Sequence, residues 1–272
     1  MSSVLQHPTT AADVERFIGS PSHGMLLVGS LGVGKTHLAT YIASALLDIA
    51  PEQVTSYPYF THVAPGPSIS IDQIRELQRA FVLKIPGDRT VKRVAYIESA
   101  DTMTHEAQNA LLKLLEEPPA DSVLLLSANH EHSLLPTIRS RLQTIIVRPL
   151  TGQQMKSVFS DEEIVRIASG LPGLAVSMQS TKDHPLVKAI AQAKEILGMS
   201  VYDRLLQVND LSRDKDATMA LLQGLILVCR AAMRKTNALR WHKALKATLA
   251  ADNALQKSAN SKLVLTNLMV QL

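Results

Sequence analysis

The residues best suited to chemistry lie in Gly29-Ser30-Leu31-Gly32-Val33-Gly34-Lys35-Thr36, which fits G-x-x-x-x-G-K-[ST]. Glycines let a short backbone loop fold its N–H groups inward around an anion, and Gly29, Gly32, Val33 and Gly34 supply that backbone here. Lys35 adds a positive point charge suited to the β- and γ-phosphates of a nucleotide, and Thr36 a hydroxyl suited to Mg²⁺. The apolar run Met25–Val28 directly precedes the loop. An amphipathic segment from Thr36 to Leu47, with Leu38, Ala39, Ile42 and Leu46 on one stripe, directly follows it. Strand, loop and helix in that order put the positive end of the helix dipole at the anion site.

The elements around this loop alternate. Strand-like runs occur at Met25–Val28, Tyr57–Val63, Val94–Glu98, Val123–Ser127 and Thr144–Val147, with helix-like segments at Thr36–Leu47, Ile71–Val82, His105–Glu117 and Leu134–Arg139. This alternation predicts an α/β domain with a largely parallel sheet over residues 1–150. Ala107, Ala110, Leu111, Leu114 and Leu115 form the apolar stripe of the third helix, and Pro118-Pro119 ends it. After Pro149 the strand signals cease. An amphipathic helix at Glu162–Ala168 and a break at Gly170–Gly173 suggest a small helical lid over 151–180. From about Lys182 onward the chain reads as an all-helical domain over 181–272, interrupted at Asn209–Lys215.

Composition agrees with a globular chain. Of its 272 residues, 46% are apolar, enough for a packed interior. The apolar runs look too short and too broken by charge to span a bilayer, and the N-terminus lacks a signal pattern, so the expectation is a cytoplasmic protein with no membrane partner. The single Cys229 excludes an intramolecular disulfide and a cysteine zinc site and reads as a small core residue. His62, His130 and His132 show no ligand spacing and read as surface residues. Charge is uneven: residues 1–180 carry 14 Lys/Arg against 17 Asp/Glu, and residues 181–272 carry 14 against 7. Between Ala217 and Ala251 there is no carboxylate, while Arg230, Arg234, Lys235, Arg240, Lys243 and Lys246 recur at roughly helical spacing. Such a face suits nucleic acid or an acidic partner, and equally a solvated helix surface.

A second group of motifs is more specific. Val94-Ala95-Tyr96-Ile97-Glu98-Ser99-Ala100-Asp101 leads into NALLKLLEEPP (109–119) and then LLPTIRSR (134–141), with Ser68–Leu77 upstream and Ser258–Leu265 near the end. In sequence and order these resemble bacterial DNA polymerase III clamp-loader subunits of the AAA+ class, above all the delta-prime type. The resemblance covers roughly residues 20–180 well and the remainder loosely. It implies an AAA+ P-loop NTPase domain followed by a helical lid and a helical oligomerisation collar. It also implies ATP and Mg²⁺ as cofactors, and as partners the gamma/tau and delta type subunits, the sliding clamp and, through the complex, primed DNA.

Carried over residue by residue, the resemblance gives a mixed picture. Active members read Asp-Glu where this chain has Glu98-Ser99. Glu98 would serve Mg²⁺ with Thr36, but a serine cannot act as the base that orients the attacking water. Asp101, three residues on, is the alternative carboxylate. Asn129 falls at the sensor-1 position, and Leu174 stands where active members carry a sensor-2 arginine. Ser140-Arg141 resembles the Ser-Arg-Cys element with Leu142 in place of cysteine; Arg141 would then be an arginine finger acting in trans on a neighbour's ATP, the alternative being a surface ion pair. The four-cysteine zinc module of related subunits is missing. The expectation is an ATP-binding subunit of the DNA polymerase III complex with weak or no ATPase of its own. The rival is a catalytically active gamma/tau-type ATPase, which the intact loop favours.

Overall fold

The structure, a computed structural model, describes residues 5–64, 66, 68–82, 85–180, 185–236, 238–257 and 259–272. Met1 to Val4, the start of the last domain near Lys182, and Ser258 lie outside them. Two compact units are present, Met1–Pro149 and Leu150–Leu272.

The first unit runs α1 (Pro8–Gly19), β1 (Gly24–Val28), α2 (Lys35–Leu47), a 3₁₀ turn at Pro51–Ser56, β2 (Phe60–Val63), α3 (Ile71–Val82), β3 (Arg93–Ile97), α4 (His105–Glu116), β4 (Ser122–Ala128), α5 (Pro136–Arg139) and β5 (Gln143–Ile146). The five strands form one parallel sheet in the order β2-β3-β4-β1-β5, the α/β architecture the alternation predicts. The central strands β1, β3 and β4 are buried along their whole length, as expected of a parallel sheet covered on both faces. Period-2 alternation divides β3. Ala95 and Ile97 join the cluster of Ile74, Leu77, Leu111 and Leu115 beneath α3 and α4. Tyr96, one residue out of phase, points to the other face, where its hydroxyl meets the Thr36 hydroxyl at the start of α2. The α4 stripe is buried as expected, with Thr104 capping its start through the Ala107 N–H.

Two details depart from the sequence reading. The expected strand at Tyr57–Val63 begins only at Phe60, because the 3₁₀ turn at Pro51–Ser56 runs almost to Tyr57. Helix α1 is an addition: His7 caps it, and its Thr10 hydroxyl donates to the Ile146 carbonyl while accepting the Arg148 N–H, tying it to β5.

Among the described residues the second unit is built of helices: α6 (Gly152–Val158), α7 (Glu162–Ala168), α8 (Pro172–Gln179), α9 (Pro185–Gly198), α10 (Val201–Leu211), α11 (Lys215–Thr236), α12 (Leu239–Gln256) and α13 (Ser261–Gln271). Rather than standing apart, the helices of 151–180 belong to the same compact unit as the rest, α7 packing on α11 and α8 on α9. The core is Ala193, Ile196, Val208, Leu221, Leu222, Leu225, Leu255, Leu265, Leu268 and Met269. Buried Arg204 donates from Nε to the Ile196 carbonyl at 2.8 Å, satisfying the C-terminal end of α9. Cys229 is buried, and burial pushes its thiol up to about 11. One expectation needs correction. The segment Asp216–Thr236, with mean hydropathy 1.4, is long and apolar enough by length and composition to cross a membrane. Half of it is buried inside this unit, and a helix flanked by α7, α9 and α12 must be apolar around much of its circumference.

Candidate nucleotide site

The loop between β1 and α2 is shaped by its glycines in two ways. Gly32 (φ 80°) and Gly34 (φ 97°) occupy the left-handed region, where a side chain is strained. Gly29 is needed for close approach instead: a Cβ there would lie 2.7 Å from the Val147 carbonyl oxygen. Among the described residues no acceptor pairs with the backbone N–H groups of Gly32, Gly34, Lys35 or Thr36. These are the orphan donors of a helix start, gathered in one turn of chain, and they make an anion cradle.

Lys35 projects back under this loop. Its ammonium donates to the Gly29 carbonyl (2.6 Å), the Ser30 carbonyl (3.1 Å) and Asn129 Oδ1 (2.9 Å), using all three N–H bonds. It is 9% exposed, and desolvation pulls it down to about 8 despite the opposing fields of Asp101 and Glu98. A cation so dehydrated gains more than an exposed one from meeting an anion. Asn129 follows the end of β4; its own N–H donates to Asp101 Oδ2 at 3.0 Å. Asp101 Oδ1 is buried with no hydrogen-bond partner among the described residues.

Glu98, one residue beyond β3, meets Thr36. The Thr36 hydroxyl donates to Glu98 Oε1 at 2.5 Å, and His62 Nε2 lies 3.0 Å from Oε2. The His62 contact, then the Thr36 hydrogen bond, hold this carboxyl below the usual carboxylate range against the opposing effect of burial. The His62 ring stacks on Tyr96, its register partner across β2 and β3, with centroids 5.1 Å apart and planes 14° off parallel. Tyr96 in turn reaches Ser127 Oγ (2.9 Å) and Thr36 Oγ1 (3.4 Å), and burial raises its phenol to about 12. Ser99 adopts a left-handed conformation (φ 52°), with its N–H donating to Ser127 Oγ at 3.2 Å.

The structure thus brings Gly29, Gly32, Val33, Gly34, Lys35, Thr36, Glu98 and Asn129 into one place. His62 joins them from the rim: it is a surface residue, as the sequence reading has it, and from there it reaches Glu98. The signal lay in its alternation on β2, which puts it beside Tyr96 and on the Glu98 side of the sheet. Arg141 stands apart. Nη2 pairs with Glu116 Oε1 at 2.8 Å, Nη1 donates to the Thr137 carbonyl at 2.9 Å, and about a third of the side chain is exposed. The α5 turn carrying it is tied to α4 by buried Gln108, which donates to the Ser133 carbonyl and accepts the Leu135 N–H. In the second unit Leu174 is fully buried in α8, a core side chain where an arginine would have no water.

Chemically, the set of inward N–H groups, one ammonium, one hydroxyl and one carboxylate fits a polyphosphate with a divalent cation. The N–H groups and the ammonium match the anion's oxygens, and the hydroxyl–carboxylate pair matches the hard oxygen preference of Mg²⁺.

A family model described as DNA polymerase III, delta subunit, matches residues 15–151. DNA polymerase III subunit delta′ of Pseudomonas aeruginosa is 35% identical over 137 residues, which is 44% of this chain and 41% of that protein. The subunit of the same name from Bacillus subtilis is 32% identical over 157 residues, 53% of this chain and 47% of that protein. The matched part therefore spans less than half the length of these relatives. Among solved structures, a DNA polymerase III gamma subunit-related protein of Thermotoga maritima covers 96% of this chain and 97% of its own at 20% identity, with a TM-score of 0.49.

Proposed function

Because the chain belongs to the DNA polymerase III delta-subunit family, its matched segment making up half of its length, we propose that it is a delta-prime-type clamp-loader subunit that binds ATP with Mg²⁺ and hydrolyses it weakly or not at all. Within that reading the loop N–H groups and Lys35 hold the phosphates, and Thr36 and Glu98 hold Mg²⁺, whose chemistry is to neutralise phosphate charge. Asn129 stands ready to exchange its bond with Lys35 for one to the nucleotide.

The observation that carries the reading is the contrast between a complete binding half and an absent water-activating acid. Ser99 holds the position after Glu98. The nearest alternative, Asp101, spends Oδ2 on the Asn129 N–H and keeps Oδ1 buried, which supports a role in holding Asn129 rather than in activating water. The helices from residue 151 onward would serve as lid and ring-forming collar, and Arg141 would leave Glu116 to serve a neighbour's γ-phosphate. Assembly with gamma/tau and delta type subunits, action on a sliding clamp and contact with primed DNA belong to the same proposal.

The intact loop favours the second reading, a self-sufficient gamma/tau-type ATPase. Calorimetric titration with ATP and Mg²⁺, paired with turnover of the chain alone and with its own organism's loader subunits, tests both. Binding with turnover near background is expected. Turnover by the chain alone at clear multiples of background establishes the second reading instead.

A further inference from the structure

Four side chains and one backbone group around Thr36 form a continuous chain of hydrogen bonds, and chemistry fixes the direction of each. Glu98 is ionised and can only accept, so Thr36 spends its one hydroxyl proton on Oε1. The Thr36 oxygen is then the acceptor for the Tyr96 hydroxyl. Tyr96, having given its proton, accepts from the Ser127 hydroxyl, and Ser127 accepts from the Ser99 N–H. On the far side His62 Nε2–H donates to Oε2, so both carboxylate oxygens are held. His62 and Tyr96, which flank the Glu98–Thr36 pair on either side, are one stacked cross-strand pair.

This arrangement answers a difficulty that Glu98 creates. A glutamate has one more rotatable bond than an aspartate, and immobilising such a side chain costs rotamer entropy at each use. His62 and Thr36 fix it in advance. We propose that His62 and Tyr96 are positioning residues for the metal end of the nucleotide site, His62 restraining the Glu98 carboxylate and Tyr96 restraining the Thr36 hydroxyl, so that the two oxygen donors are presented as a fixed pair. The proposal rests on the nucleotide-binding reading. It assigns His62 specifically to the glutamate: an aspartate at 98 would be a methylene too short to keep both contacts.

Equilibrium binding of a fluorescent ATP analogue, measured with Mg²⁺ and again in EDTA, separates the possibilities. His62→Ala and Tyr96→Phe are expected to weaken binding in Mg²⁺ by about 3–10-fold, the net worth of one hydrogen bond, and to leave affinity in EDTA within about twofold. His62→Gln, whose amide N–H can still donate, is expected to retain most of the wild-type affinity. In a Glu98→Asp background His62→Ala is expected to have no further effect. Thermal melts of each variant confirm folding; His62 is a third exposed and Tyr96→Phe keeps the buried ring. Equal losses with and without metal, unchanged affinity in Mg²⁺, or additive effects of His62→Ala and Glu98→Asp would each overturn the assignment. Wild-type binding that ignores Mg²⁺ overturns it alone, whereas wild type that binds no nucleotide overturns the proposed function and this inference together.

Discussion

Replacing Lys35 by methionine removes the ammonium but keeps the length of the side chain, and the structure sets two opposing effects on stability. Burial lowers the Lys35 pKa from 10.5 to about 8, which at 1.36 kcal/mol per pH unit makes the buried charge cost the fold about 3 kcal/mol near neutrality. Methionine relieves that cost. It also strips the donor from the Gly29 and Ser30 carbonyls and from Asn129 Oδ1, at about 1 kcal/mol each. The two nearly cancel, so chemical denaturation at pH 7 should show a change below about 2 kcal/mol. Nucleotide affinity should instead fall about 100-fold or more, because charge-assisted bonds to phosphate have no substitute.

The pH dependence supplies a separate check. Between about pH 8 and 10.5 the unfolded chain keeps the Lys35 proton and the folded chain has released it. Stability therefore rises with pH across that window in the wild type, relative to Lys35→Met, by up to about 3 kcal/mol. Below about pH 8 both states hold the proton and the difference is flat. Parallel stability curves for the two proteins from pH 7 to 10.5, or a variant that unfolds by more than about 4 kcal/mol while still binding nucleotide, would refute the reasoning.

Arg141→Ala should cost less than about 1 kcal/mol in urea denaturation, since its pair with Glu116 is half-exposed, yet lower the ATP turnover of a reconstituted loader of equal composition; Arg141→Lys should rescue poorly because one ammonium cannot reproduce the planar fork. Unchanged turnover removes the finger assignment. Ser99→Glu should raise steady-state turnover of the isolated chain by no more than about 10-fold, well short of the roughly 10²–10⁴ of a full general base, since Leu174 still supplies no cation; restoration to the full range would show that lid and neighbour contribute little. Gly224→Ala should destabilise the helical unit by about 2 kcal/mol or more, because its Cβ would sit 2.6 Å from the Ala189 carbonyl oxygen where α9 and α11 meet; an unchanged melting temperature would mean the helices separate freely.

What the sequence made legible was local. The glycine loop, Lys35 and Thr36 lie within eight consecutive residues, and the apolar stripe of α4 repeats over nine, so spacing alone placed them. His62 escaped for the opposite reason. It acts on Glu98 from 36 residues away, as a hydrogen-bond donor from the adjacent strand, and a search for metal-ligand spacing among histidines does not test for that. Helix α1 escaped because only Thr10, Val14 and Phe17 of its twelve residues are buried, too sparse a stripe to stand out. The sequence reading judged every apolar run too short and too charged to span a bilayer, yet Asp216–Thr236 passes by length and composition, because hydropathy counts residues without asking what surrounds them: α11 is apolar for its neighbours in the helical unit.

The same distinction explains why the loss at position 99 is hard to repair from nearby. Ser99 and Asp101 flank a tight turn whose Thr102 N–H and hydroxyl both donate to the Ser99 carbonyl, and the left-handed Ser99 starts that turn. For Asp101 to face an attacking water it would have to surrender the Asn129 N–H, and Asn129 is the residue that holds Lys35. Any gain in proton-accepting power at Asp101 would then loosen Lys35, the lysine proposed to hold phosphate. A carboxylate at position 99 itself carries no such conflict, because among the described residues Ser99 is tied through its backbone N–H and carbonyl and not through its side chain. That is why Ser99→Glu, and not a rearrangement of Asp101, is the substitution that tests the proposed separation of nucleotide binding from hydrolysis.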